Sequence, residues 1–231
     1  MTLSIWSQAV LLGAWFGLLH AFDADHLATI GGLAVRDRTR APTAYALRWA
    51  LGHGAAIGLI ALLVLGFNLT RALDLSRYFE LLVCSALFAI GAQALHAALR
   101  SARAPLGMHR HATTEGAATH VHFLAPWHQH TRGGRASVLM GLLHGGAGSA
   151  AVLALLPLAR FDSGIASALY LACFCLGVAG GALAFARLFA SLAHRSAAAG
   201  ARLAAAFQGG VGIVAIASGA LLLYEIGYGG G

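Results

Sequence analysis

The chain has 231 residues, of which 59% are hydrophobic and only 10% charged. Soluble domains carry about 25% charged residues, so this composition excludes a soluble fold and specifies a polytopic membrane protein. The formal net charge of +7 comes from arginine alone, since the sequence contains no lysine; the arginines stand between apolar runs, where they set orientation in a bilayer rather than bind nucleic acid.

A membrane helix needs about 20 predominantly apolar residues. The first such run is Ile5 to Val35. No Lys or Arg precedes it, so it lacks the basic start of a signal peptide and is read as a retained span. As one straight helix it would be roughly 46 Å long, against an apolar core of about 30 Å. It must tilt, project or break, with Gly31-Gly32 or the aspartate-rich centre as candidate breaks. Further runs cover Ala44 to Phe67, Tyr78 to Leu99, Ala136 to Leu158, Gly164 to Leu188 and Leu203 to Ile226. The expected fold is therefore all-α, with six transmembrane helices. Residues 1–99 and 136–231 each supply three, and the polar, His-rich loop 100–135 joins them.

Arginine is concentrated in the first loop (Arg36, Arg38, Arg40), the third (Arg100, Arg103, Arg110, Arg132, Arg135) and the fifth (Arg187, Arg195, Arg202). The second loop has Arg71 and Arg77, the fourth only Arg160. Loops one, three and five are expected to face the cytoplasm, leaving both termini outside. Gly17-Leu18-Leu19-His20 recurs as Gly141-Leu142-Leu143-His144, and Leu51-Gly52 recurs as Leu176-Gly177 at almost the same offset. Three spans per half would give the copies opposite orientations, the inverted repeat of secondary transporters.

The chemistry is concentrated in the first run, at His20-Ala21-Phe22-Asp23-Ala24-Asp25-His26. Ionisable groups inside an apolar membrane run mark a pathway or a ligand site. On a continuous helix His20, Asp23 and His26 share one arc. Asp25 would point elsewhere: to another helix, to a histidine it orients, or into the site after local unwinding. His53, between Gly52 and Gly54, and His144 lie at matching depth in the second and fourth spans, roughly 12–13 Å in at 1.5 Å per residue. His144 and Ser149, in the small-residue run that follows it, are further candidates for the metal or its path. Imidazole suits Zn, Cu, Fe and Ni, and carboxylate adds charge for a divalent cation.

In the loop, His109, His111, His120, His122, His128 and His130 form three His-x-His pairs, a compositional metal signal expected to act as a weak, exchangeable buffer. Cys84, Cys173 and Cys175 lie in apolar runs and form no Cys-x-x-Cys pair, so they read as buried packing residues. Gln93, His96 and Gln208 read as hydrogen bonders between helices.

The motif His20-x4-Asp25-His26, in the form His-Ala-Phe-Asp-Ala-Asp-His-Leu, resembles the signature of the nickel/cobalt permease superfamily. Arg48-Trp49-x-Leu51-Gly52-His53-Gly54 resembles that family's second motif. Gly141-Leu142-Leu143-His144-Gly145-x2-Gly148-Ser149 is similar to its shorter, six-span urease-accessory branch. The resemblance implies transport of Ni(II) or Co(II), with His20, Asp23, Asp25, His26 and His53 as the functional positions. The expectation is a multi-pass secondary transporter in a bacterial inner membrane, uptake favoured over efflux. It has no enzyme activity, no resident cofactor and no nucleic-acid partner; nickel-enzyme maturation proteins are candidate recipients. The rival classes are a non-transporting membrane metal chaperone and an intramembrane metalloenzyme, the latter without a His-Glu-x-x-His motif to support it.

Overall fold

The computed structural model describes residues 4–36, 42–67, 76–103, 108–113, 116–121, 133–147, 157–158 and 161–228. Its architecture is a helical bundle. Helices α1 (Ile5–His20) and α2 (Ala24–Arg36) are followed by α3 (Pro42–Ala61), which ends in a π-helical turn, Leu62–Gly66. Next come α4 (Ser76–Arg103), a hairpin of β1 (Met108–Thr113) and β2 (Gly116–Val121), α5 (Gly133–Gly146), α6 (Gly164–Ala199) and α7 (Ala201–Tyr228).

Among the described residues, four helices are long and apolar enough to cross a membrane: Thr43–Val64, Ser76–Arg100, Gly164–Ala199 and Ala201–Tyr228. The pair Ile5–His20 and Ala24–Gly32 makes a fifth if it is one broken span, bent by 62°. The expected fourth span, Ala136 to Leu158, is described only as α5, which closes at Gly146, and a short turn at Pro157–Leu158. Leucines on the outer faces, such as Leu11, Leu51, Leu176 and Leu221, are exposed, as a lipid-facing surface requires.

The first run is thus not one helix. It breaks at Ala21–Asp23, in the aspartate-rich centre, while Gly31 and Gly32 stay helical and pack against Phe189 and Ile90. Irregular backbone at membrane depth must find internal partners, and it does. Ala21 N–H donates to Gly17 O (3.1 Å), Phe22 N–H to Leu19 O (3.0 Å) and Asp23 N–H to His20 O (3.1 Å). Leu27 N–H to Asp23 O (3.0 Å) then starts α2.

The helices pair in a set pattern: α1 lies along α6, α5 along α3, and α4 along α7, with α2 inserted among α4, α6 and α7. Glycines set the first two crossings, because small residues let backbones touch. A Cβ on Gly17 would overlap the carbonyl of Phe174, and one on Gly141 the carbonyl of Trp49. Reciprocally, a Cβ on Gly177 would lie 2.8 Å from Leu18 N, and one on Gly52 3.0 Å from Leu142 N. Trp49, Tyr170, Phe174, Ile30 and Ile57 fill the core between them.

The loop 100–135 is not uniformly irregular: α4 runs on to Arg103, the hairpin spans Met108 to Val121, and α5 begins at Gly133. The hairpin register sets His109 opposite His120. His122, His128, His130 and Ser149 lie outside the described residues.

Candidate metal centre

The bend brings the expected residues together by a route other than the helical arc. His20 is the last residue of α1 and His26 lies in the first turn of α2. Their rings meet edge to face, with centroids 4.6 Å apart. His53 arrives from α3, 5.4 Å from His20 and 5.1 Å from His26. One ring nitrogen from each of the three lies within 4.8 Å of the others, and all three residues are buried. Aromatic walls fix their planes: His20 stacks on Phe174 (5.6 Å) and His53 on Trp49 (5.0 Å).

Asp23 lies beside His20, as the shared arc implied, and Asp25 reaches another helix, one of the options left open for it. Asp23 Oδ2 lies 2.7 Å from His20 Nδ1, with its side chain 40% exposed. The approach is close enough for an ion pair but lacks hydrogen-bond alignment, since His20 Nδ1 has no hydrogen-bond partner. Asp25 does not point away. Its Oδ2 lies 4.0 Å from His26 Nε2 and 3.9 Å from His144 Nε2. Asp23, Asp25 and His26 form a second ligand-sized group within 4.8 Å.

His144, buried on α5, joins the same region: its ring is 5.4 Å from that of His26 and 5.8 Å from Trp49. Two of the rings are fixed in one tautomer. His26 Nδ1 lies 2.8 Å from His20 O, and His144 Nδ1 2.8 Å from Met140 O. A carbonyl only accepts, so both Nδ1 atoms carry the proton and both Nε2 atoms hold a lone pair. The Thr29 hydroxyl, also fully buried, donates to His144 Nε2 at 3.0 Å.

His20 and His53 have no such fixing. Both nitrogens of each are buried without a hydrogen-bond partner. An unpaired buried polar group costs about 1–3 kcal/mol, so this arrangement is expensive unless something else bonds those nitrogens. Three imidazoles and two carboxylates are the donor set of a divalent transition metal, and no cysteine belongs to the ligand groups among the described residues.

Gln93 and His96 face outward on α4, whereas Gln208 is buried on α7 with its Oε1 unpartnered. Two residues that the motifs passed over also matter here. Tyr45 and Tyr170 open the same pattern in α3 and α6, Tyr-x3-aromatic-x-Leu-Gly, whose aromatic residues are the two histidine walls Trp49 and Phe174. That pattern, longer than Leu-Gly alone, was the available signal.

Comparisons with family models, with curated proteins and with solved structures find no match to this chain.

Proposed function

We propose that this protein is a secondary transporter of divalent transition-metal ions, with Ni(II) and Co(II) as cargo and uptake the favoured direction. One observation carries the reading: the nitrogens of His20 and His53, buried without hydrogen-bond partners beside His26 in the middle of an apolar bundle. A permanent structural role would supply these atoms with hydrogen bonds, as it does for the Nδ1 atoms of His26 and His144. A site that loads and unloads a cation leaves its ligands bare between cycles. Asp23 and Asp25 balance the charge, and the soft ligands that would favour Cu(I) are absent from the described ligand groups. The resemblance of His20-x4-Asp25-His26 to the nickel/cobalt permeases points to the same cargo.

In this reading the chain crosses a bacterial inner membrane six times, as two inverted three-helix halves with the termini outside and the His-rich loop in the cytoplasm. The pairing of helices supports the repeat. Exchanging the halves carries α1 on α6 into α5 on α3 and leaves α4 on α7 unchanged, and Gly17 and Gly177 at the first crossing correspond to Gly141 and Gly52 at the second. The loop histidines buffer metal, which passes to nickel-enzyme maturation proteins; no substrate is turned over and no cofactor resides in the chain.

The test is accumulation of radiolabelled nickel and cobalt by cells with and without the protein, followed by flux into proteoliposomes holding the folded protein. Saturable metal flux is expected. Tight binding without flux would replace transport by a chaperone role. An impermeant reagent that labels a cysteine placed beside His120 from outside the cell would overturn the orientation.

A further inference from the structure

The three-histidine group leaves Asp25, His144 and Thr29 unexplained, and His144, held against the other two, is a ligand-type residue that the second half of the chain brings to the site. The lone pair at Nε2 of His26 and that of His144 both lie about one carboxylate's reach from Asp25 Oδ2, at 4.0 and 3.9 Å. All three atoms are acceptors, since each imidazole has committed its proton to a backbone carbonyl. The Thr29 hydroxyl donates to His144 Nε2 at 3.0 Å, and the His26 backbone amide donates to the Asp25 carboxylate. Asp25 Oδ2 thus stands between two imidazole lone pairs, and acceptors placed together in a largely buried region call for a cation. Ligands about 2.1 Å from a metal stand about 3.4 Å apart in a tetrahedral site, so only sub-ångström side-chain shifts separate each contact to Asp25 from a coordinating one.

His26 takes part in both groups but has a single free nitrogen, because Nδ1 is held by the His20 carbonyl. It cannot complete both sets at once. We propose that His26 serves two metal positions in turn, one with His20 and His53 and a second with Asp25 and His144, the second guarded by Thr29. The ion exchanges His20 and His53 for Asp25 and His144 while His26 keeps hold of it. It thereby passes from ligands of the first half to a ligand of the second without becoming bare in the apolar interior. Thr29 must release His144 Nε2 when metal arrives; its hydroxyl can turn to the Asp25 carbonyl four residues back on α2, a partner that threonine commonly uses in helices.

This inference rests on the metal-transport reading, and the experiment separates the two. Purified protein in detergent is titrated with cobalt(II) chloride, followed by visible absorption, which reports coordination, and by calorimetry. A His20→Ala/His53→Ala double variant should keep a weaker Co(II) site. Its absorption should vanish when Asp25→Asn or His144→Gln is added, and Thr29→Val should tighten the residual binding several-fold by freeing Nε2. Residual binding indifferent to His144→Gln, or no binding by a double variant that unfolds at the wild-type temperature, overturns the second position. Should the double variant not fold, His53→Gln is compared with His53→Gln/His144→Gln: a further loss supports the second position, and equal binding overturns it. Failure of the wild type itself to bind Co(II) would sink the transport reading instead.

Discussion

The crossing of α5 with α3 and the crossing of α1 with α6 are built alike and used differently. In each, a glycine at the start of Gly-Leu-Leu-His presses on the backbone of an aromatic residue, Trp49 in one and Phe174 in the other. The histidine that closes the motif is buried in both, as His20 and His144. Beyond that point they diverge. After Leu51-Gly52 the chain has His53, and after Leu176-Gly177 it has Val178, both buried. The stretch after His20 has two aspartates and His26, where that after His144 has Gly, Ala and Ser. Backbone proximity is thus common to both crossings, while most of the candidate ligands lie in the first half of the chain. A symmetrical frame can carry an asymmetric site because helix crossings depend on small residues and ligation depends on large polar ones.

The sharpest way to break this contrast is to strip the polar copy. His53→Ala or His20→Ala should each abolish saturable metal flux in proteoliposomes, whereas His96→Ala, on the outer face of α4, should leave it at the wild-type level. Retained flux in both histidine variants would mean that the α1–α3 side is not the ligand side. Acidification should act in the same direction by a reversible route. Protons compete for the lone pairs that bind metal, so Co(II) affinity should fall about tenfold or more per pH unit once the imidazoles begin to protonate. A titration flat with pH would be inconsistent with imidazole ligation.

The likeness of the frames is tested by Gly17→Val and Gly141→Val. Each forces a side chain into a backbone carbonyl, and overpacking of this kind costs about 1–3 kcal/mol. Thermal unfolding should show both variants destabilised, by similar amounts. If one is silent, the two crossings are not equivalent. The smallest effect is expected from the loop. Replacing His109, His111, His120, His122, His128 and His130 together should change apparent affinity by a few-fold and leave flux measurable. Complete loss at normal expression would move the loop from buffer to pathway.

Composition made the class legible, and the His20–His26 motif made the buried polar cluster legible, because charged groups inside apolar runs stand out without any geometry. What sequence could not supply was phase. An arc drawn on a straight helix put Asp25 aside, but the break at Ala21–Asp23 resets the rotation and turns Asp25 toward His144. Polarity pointed to that break without choosing it over Gly31-Gly32, since glycine pairs serve hinges and tight packing equally. The outward facing of Gln93 and His96 had a sequence signal that polarity alone obscured. The buried stripe of α4 runs Val83, Leu87, Gly91, Ala94 and Ala98, a helical period that both residues miss. The span count depended on a fourth run in which the described helix ends at Gly146, where Gly145-Gly146-Ala147-Gly148 offers no preference strong enough to decide it.

The His20 carbonyl accepts two donors, the Asp23 amide that shapes the bend and the Nδ1 of His26. The angle between α1 and α2 and the readiness of His26 to hold a cation are therefore not separate variables. A rotation at the hinge that draws His26 off this carbonyl frees its ring to swing and to change tautomer, which withdraws the lone pair from the ion. Conversely, an ion seated on Nε2 keeps the proton on Nδ1 and so latches the hinge at its present angle. In the proposed site, hinge angle and ring tautomer would therefore be set together by one carbonyl oxygen.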